Sequence, residues 1–341
     1  METGDVMEQN KIRKNSIIVL FLTIIILYFI LKDNLNEVIH DIGNTNYFLL
    51  LIALGVYMLS YVFDALSYYY VVKQYKKDYV PKKAFRLNLL THFFNGITPL
   101  ASGGQPMQLY VLHKDKVKYS DASTSVIQFY VIYQIALMII SSICLVYSLF
   151  LGYIDARPFA LHMFIIGYII NMIILLFLIF VSFNKKFNKG VVRFIIKVLN
   201  LFGIVNDKEK TIEKWDKNCE GFYESAQLMK ENKFVFFRGV VLQILQLICL
   251  FSVPLFVAYA TGANHQLNMF NTIAISSFIT ICSCYVPIPG ATGGVEYGFG
   301  AFFSKFIAKS DIRVVLILWR FITYFVPVII GGIVFNIKER E

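Results

Sequence analysis

Charge is what this chain has least of. Asp, Glu, Lys and Arg together make up 16% of its 341 residues, against about a quarter in soluble domains. Catalytic signatures are missing as well. The five cysteines form no CxxC pair and the five histidines no HExxH or similar cluster, which removes the common routes to zinc and thiol-redox chemistry. Cys144, Cys249, Cys282 and Cys284 lie in apolar segments, where a thiol behaves as a small hydrophobe. Only Cys219 falls in a polar loop, and Cys282-Ser283-Cys284 has poor metal-ligand spacing. No Walker sequence is present, which argues against direct use of ATP. No metal and no cofactor is expected.

What fills the chain is apolar. Hydrophobic residues account for 57% and the mean hydropathy is +0.62, and several stretches exceed the roughly 18 apolar residues of a spanning helix. The first, Ile17 to Leu31, is followed by Lys32, Asp33 and Asn34 rather than by a small-residue cleavage site. It therefore reads as an uncleaved span and not as a signal peptide. The net charge of +10 reflects basic residues gathered in short loops between spans, a bias that reports topology. With no soluble basic domain, nucleic acid is not an expected partner.

Charge also assigns the sides. Lys11, Arg13 and Lys14 place the N-terminus in the cytoplasm, and Asp33, Glu37 and Asp41 mark the next loop as external. A second span from about Tyr47 to Val72 leads to Lys73, Lys76, Lys77, Lys82, Lys83 and Arg86, a cytoplasmic loop. From Ala84 the chain enters the membrane, breaks, and leaves by Leu112 into a loop with Lys114, Lys116 and Lys118. The first arm, Ala84 to Ile97, covers only about 20 Å of a core about 30 Å thick. That predicts a re-entrant hairpin. Further spans are expected at Ala122 to Phe150, Phe159 to Phe183, Phe234 to Ala260 and Ile312 to Phe335. A second hairpin runs from Met269 to Ala308, and its ends fall outside by parity. About six full spans and two opposed hairpins result, in the manner of inverted-repeat transporters, with both termini cytoplasmic in the cell membrane.

The fold class is thus an all-α polytopic membrane protein, a single integral membrane domain over 1–341. Within it, residues 184–233 form the sizeable polar region, holding eleven Lys or Arg and seven Asp or Glu. Val192, Ile195, Ile196 and Leu199 recur there at helical spacing, which predicts amphipathic helices at the cytoplasmic interface. A plain basic linker touching anionic lipid is the competing reading.

Two glycine- and proline-rich cassettes interrupt the hydrophobic pattern: Thr98-Pro99-Leu100-Ala101-Ser102-Gly103-Gly104-Gln105-Pro106, and Pro287-Ile288-Pro289-Gly290-Ala291-Thr292-Gly293-Gly294-Val295-Glu296. Irregular backbone at membrane depth survives only where protein or a polar cavity surrounds it. Paired interruptions in the two halves of a chain point to a transport site. Each cassette runs into a helix start, so two helix N-termini are expected to face inward, where their N–H groups suit an anion such as a phosphate. The polar residues nearby are Asn95, Thr98, Ser102, Gln105, Gln108 and Tyr110 in one half, and Thr292, Glu296 and Tyr297 in the other.

Asp64, Glu296 and Arg320 are charges inside apolar segments, and an ionisable residue at such depth is a functional candidate. Each also has a plainer reading. Glu296 can be a helix-start carboxylate, Arg320 its structural ion pair, and Asp64 can sit near enough to the cytoplasmic end to be hydrated. Tyr68-Tyr69-Tyr70 reads as an interface belt.

At these residues the chain resembles the transmembrane region of the lysylphosphatidylglycerol synthase and flippase family. The resemblance rests on Asn95 through Tyr110, on Pro287 through Phe299, and on Trp319-Arg320 through Pro327 with Gly331-Gly332. It covers essentially the whole chain. Relatives often carry an R-x-G-E pattern in the first cassette, where this chain has Ser102-Gly103-Gly104-Gln105. Two-part relatives continue into a soluble aminoacyltransferase domain, whereas this chain stops at Glu341.

What the resemblance implies is lipid handling. The expected function is a flippase-like translocase that moves a polar lipid between leaflets, either an aminoacylated phospholipid such as lysylphosphatidylglycerol or a glycolipid. Its substrate site is expected at Asp64, Asn95, Thr98, Ser102, Gly103, Gly104, Gln105, Gln108, Tyr110, Pro289, Gly290, Gly293, Gly294, Glu296, Tyr297 and Arg320, with no catalytic residue. Two alternatives remain open. One is phosphatidylglycerol lysyltransferase, the family's name activity, which confers resistance to cationic antimicrobial peptides. The other is a membrane subunit docked through 184–233 to a separate synthase. A homo-oligomer stays open too.

Overall fold

The computed structural model of the chain describes residue 43 and residues 45–150, 158–201, 208–263, 266–284, 286–308 and 310–336. The expected first span, Ile17 to Leu31, lies outside these residues. The described chain forms α1 (Tyr47–Lys73), α2 (Pro81–Ile97), α3 (Gly104–Lys114), α4 (Tyr119–Phe150), α5 (Pro158–Phe183) and α6 (Lys185–Leu201). There follow α7 (Lys208–Glu231), α8 (Lys233–Ala260), α9 (Met269–Ser283), α10 (Gly294–Phe303), α11 (Ile312–Arg320) and α12 (Val326–Asn336). No strand occurs among the described residues. Helices α1, α4, α5, α8 and the run Ile312–Asn336 are long and apolar enough to cross a bilayer. The protein is an all-α, multi-pass membrane protein.

Local chemistry sets the helix starts. The Asn46 side chain accepts hydrogen bonds from the Phe48 and Leu49 N–H groups at 3.1 and 3.3 Å, satisfying two donors that α1 would otherwise leave orphaned. Asn268 does the same for Asn271 at 2.9 Å. Pro81 opens α2 at the first position, where its missing N–H costs nothing.

Helices α1 and α8 form the central pair and run antiparallel. The Asn46 N–H donates to the Ala260 carbonyl at 2.8 Å at one end, the Gln243 amide meets Asp64 further along, and Ser67 lies against the Gly239 carbonyl beyond it. Around this pair the element order repeats. α1, the α2–α3 hairpin and α4 recur as α8, the α9–α10 hairpin and the α11–α12 run, with an offset of 190 residues between Pro99 and Pro289. Because α1 and α8 are antiparallel, the second unit is an inverted copy of the first. Helices α5, α6 and α7 connect the copies.

A large apolar core fills the space between α1, α4, α5, α8 and the second hairpin, with Phe251, Phe299, Phe303 and Leu137 among its fully buried side chains. A smaller core between α1, α2, α3 and α4 contains Tyr68, Leu87 and Leu112. Tyr68 is therefore a core residue, stacked on Phe129, and not part of an interface belt. The side-chain periodicity of α1 decides this, since Tyr68 shares a face with Tyr61 and Asp64.

The polar region is helical, as its spacing predicts. Phe187, Phe194, Val198 and Leu201 of α6 are exposed along one stripe, while Lys185 and Lys189 pair with Glu220 of α7 at 3.2 and 3.1 Å and Arg193 with Asp216 at 2.6 Å. Cys219 sits on α7 and is buried, not in a polar loop.

Candidate functional site: two cassettes and a buried polar seam

In the first cassette α2 ends at Ile97, Thr98 is extended, and Pro99–Ala101 makes a tight turn before α3. Leu100 and Ala101 adopt left-handed φ of 56° and 50°, a conformation costly for residues with a Cβ. Side chains of the same loop hold it. Thr98 Oγ1 accepts from the Gly103 N–H at 2.8 Å and Asn95 Oδ1 from the Gly104 N–H at 2.9 Å. Both N–H groups at this helix start are thus already engaged within the chain.

The second cassette repeats the shape. Pro289–Ala291 turns with φ of 64° at Gly290 and 51° at Ala291, and Gly293 follows at 87°. Here the helix start is held by a charge. Glu296, the third residue of α10, accepts the Gly293 N–H on Oε2 at 2.5 Å and receives Arg320 on Oε1, from Nε at 2.8 Å and Nη2 at 2.7 Å. Arg320 Nη2 also donates to the Gly290 carbonyl at 2.9 Å. Both plainer readings of these residues are thus realised in the geometry: Glu296 caps a helix and pairs with Arg320. The Nη1 group of Arg320 has no hydrogen-bond partner among the described residues.

The two cassette turns touch each other, and Tyr324 joins them. Its hydroxyl donates to the Gly96 carbonyl at 3.1 Å, its ring lies against Gly290, and Arg320 sits over that ring at 5.1 Å. Tyr324 can reach both because the helix is disrupted there. Phe321–Phe325 form a π-helical segment between α11 and α12, a feature that often accompanies functional sites. Pro327 follows, and lacks the N–H that an α-helix would offer to the Thr323 carbonyl. That carbonyl accepts instead from the Tyr57 hydroxyl of α1 at 3.0 Å.

Tyr57 leads to a second polar group. Its hydroxyl oxygen lies 3.3 Å from that of Tyr61, whose ring packs on His92 at 4.6 Å. His92 Nε2 is 2.8 Å from Asp64 Oδ2, and Gln243 Nε2 donates to Asp64 Oδ1 at 2.8 Å. Asp64 is 5% exposed, so it is enclosed by α2 and α8 and not hydrated at a membrane face. Asp64, His92, Tyr61, Tyr57, Thr323, Tyr324 and Arg320 follow one another through hydrogen bonds, ring contacts and one chain neighbour, a seam that links Asp64 to the paired turns.

Asn95, Thr98, Gly103, Gly104, Pro289, Gly290, Gly293, Gly294, Glu296 and Arg320 thus gather at the paired turns, with Asp64 at the other end of the seam. Ser102 donates to the Pro99 carbonyl at 2.8 Å and is exposed. Gln105 is half-buried and Gln108 buried, both on α3. Tyr110 is 61% exposed near the end of α3, and Tyr297 packs edge-on against Phe159 of α5, so neither joins the seam. His92, Gln243, Tyr57 and the π segment are additions that sequence reasoning missed. Asn88, Thr91, His92 and Asn95 of α2 do recur at i, i+3, i+4 and i+7, a polar stripe on an apolar helix that could have singled out His92. No cluster of three metal-ligating side chains occurs among the described residues.

Comparison with known proteins places these features. The family described as the lysylphosphatidylglycerol synthase transmembrane region matches residues 16–331. The chain belongs to that family. Among proteins it resembles is a UPF0104 membrane protein of Methanocaldococcus jannaschii, 25% identical over 341 residues, covering 97% of each chain. Another is an uncharacterized protein of Mycoplasma pneumoniae, 20% identical over 328 residues, covering 89% of this chain and 80% of the relative. Within the lysylphosphatidylglycerol synthase transmembrane-region family, both cassettes and the Arg320 segment fall inside the matched range.

Proposed function

We propose that the protein moves a polar membrane lipid between leaflets, its headgroup passing along the seam where the two cassettes meet. The observation that supports this best is the partly enclosed Glu296–Arg320 pair at that junction. Its side chains are 20% and 12% exposed, a guanidinium nitrogen is left over, and the pair sits where the membrane helix is broken. A phosphate-bearing headgroup is the ligand such a guanidinium accepts best. Enclosing an ion pair costs more than it returns when stability is the sole purpose, which favours a ligand-binding role. An aminoacylated phospholipid or a glycolipid suits the remaining donors and acceptors, Asn95, Gln105 and Gln108.

In this reading both hairpins are re-entrant and meet near the midplane from opposite faces. Both termini lie in the cytoplasm, and 184–233 forms an interfacial insertion with the α6 stripe Phe187, Phe194, Val198 and Leu201 resting in the cytoplasmic leaflet. The two copies rock about the α1–α8 pair. The test is leaflet exchange of fluorescent phosphatidylglycerol, lysylphosphatidylglycerol and glycolipid in vesicles containing the purified protein. Acceleration over empty vesicles, lost in Arg320→Lys, is expected. Absence of acceleration with all three lipids refutes the reading.

A further inference from the structure

The two charged groups of the seam differ in kind. Glu296 is matched by Arg320, which keeps its proton at any physiological pH. Asp64 is matched by His92, and imidazole is the side chain best suited to exchanging a proton in that range. We propose that Asp64 and His92 form a proton-binding site, and that the lipid movement proposed above is coupled to a proton gradient across the membrane. The inference rests on that reading of the function and adds its driving ion.

Three observations carry it. Asp64 has both carboxylate oxygens engaged, by His92 Nε2 and Gln243 Nε2, each at 2.8 Å. An enclosed carboxylate without a countercharge is costly, and this pair is electrically neutral only while it holds one proton between its two members. Second, access is unequal: the His92 side chain is 33% exposed and that of Asp64 7%. A proton can arrive at the imidazole and come to rest against an enclosed carboxylate. Third, buried acceptors without partners flank the pair. Gln243 Oε1, on the residue that holds Asp64, and Asn88 Oδ1, one turn before His92, have no hydrogen bond, as does Gln246 Oε1 on the next turn of α8. Gln243 and Asn88 are 0% exposed. Orphaned acceptors at such depth are commonly satisfied by water, and water is the medium through which a proton travels.

Other polar groups also face Asp64. They are the phenols of Tyr57, Tyr61 and Tyr68 on α1 and of Tyr133 from α4, together with the neutral Gln243 amide from α8; a phenol ordinarily ionises near pH 10. The π segment contributes the Thr323 carbonyl through Tyr57. That last contact ties the proton site to the Arg320 segment. Loss of the shared proton leaves a bare carboxylate between α1, α2 and α8, and the least costly response is a shift of α2 against α1 that opens Asp64 to water. One proton enters from one aqueous face and leaves to the other, and no covalent bond changes.

The test uses the intact chain in vesicles with fluorescent phosphatidylglycerol and a lumenal pH dye, under an imposed gradient of one pH unit. One-to-one coupling drives the lipid to a leaflet ratio of about ten per pH unit, and the dye reports proton movement that follows the lipid. His92→Gln, which keeps the hydrogen bond and cannot titrate, returns the ratio to one and silences the dye. A wild-type ratio that ignores the gradient while exchange continues overturns the coupling and leaves the lipid reading standing. No exchange under any gradient overturns both. The wild-type measurement decides the coupling, and a His92→Gln variant that exchanges lipid and still reaches a ratio of about ten overturns the site.

Discussion

Replacing Gly290 by alanine should damage this protein far more than a single methyl group suggests. Gly290 turns with φ of 64°, where an L-residue costs roughly 1–2 kcal/mol. The added Cβ would strike the Tyr324 ring, meeting Cε2 closely and Cζ at 2.6 Å, an overlap worth about 1–3 kcal/mol in a packed site. Moving the ring breaks the Tyr324 hydroxyl bond to the Gly96 carbonyl, about 1 kcal/mol more. A loss of about 3–6 kcal/mol follows, with the two cassettes no longer joined. Gly300 is the control. It lies within α10 with nothing within 4 Å of its Cβ position, so alanine there should be neutral or gain up to about 1 kcal/mol. Reversible unfolding in mixed detergent–SDS micelles measures both. Equal stability of Gly290→Ala and wild type would show that Tyr324 does not press on this turn, and the joining role assigned to it would fall.

Tyr57→Phe should cost about 1–3 kcal/mol by removing the donor to the Thr323 carbonyl, and much less once Pro327→Ala restores a backbone N–H; additive effects in the double-mutant cycle would refute the pairing of these two residues. Glu296→Gln leaves Arg320 without its countercharge and should cost about 2–4 kcal/mol. Adding Arg320→Gln should recover most of that loss, as unfolding midpoints of the three variants would report. Asn95→Ala removes the acceptor for the Gly104 N–H and should cost about 1 kcal/mol, read in the same titration. Burial, and next to it Asp216, pushes the Cys219 thiol up, so thiolate is scarce at neutral pH. Alkylation of Cys219 by a maleimide should be slow at pH 7 and rise with pH; rapid labelling at pH 7 would contradict its enclosed position.

Much of this architecture was legible in the sequence because a bilayer demands long apolar helices. Hydropathy located α1, α4, α5 and α8 to within a few residues, and the cassettes announced both hairpins by their Pro and Gly content. The Glu296–Arg320 pair was legible too, since few charges compete for a partner at such depth. The seam was not. Tyr57, Tyr61 and His92 look like ordinary core aromatics until α2 and the π segment are seated against α1 and set their neighbours. The π segment arises from how Pro327 and the Tyr57 contact act together across 266 residues, a separation no local pattern spans. The repeat of whole units was hidden for a similar reason, because beyond the two turns the copies share element order, run in opposite senses, and do not share side chains.

That inverted repeat has a further consequence. If the two copies exchange conformations during a cycle, the end states would be equal in energy only for matching contents. They do not match. At the 190-residue offset of the turns, the positions corresponding to Glu296 and Arg320 hold Pro106 and Tyr130. One hairpin is held by an ion pair, and its counterpart by neutral groups, Asn95 and Thr98 among them. The two turns are therefore held unequally. Removing Glu296 should therefore loosen the second turn more than removing Asn95 loosens the first.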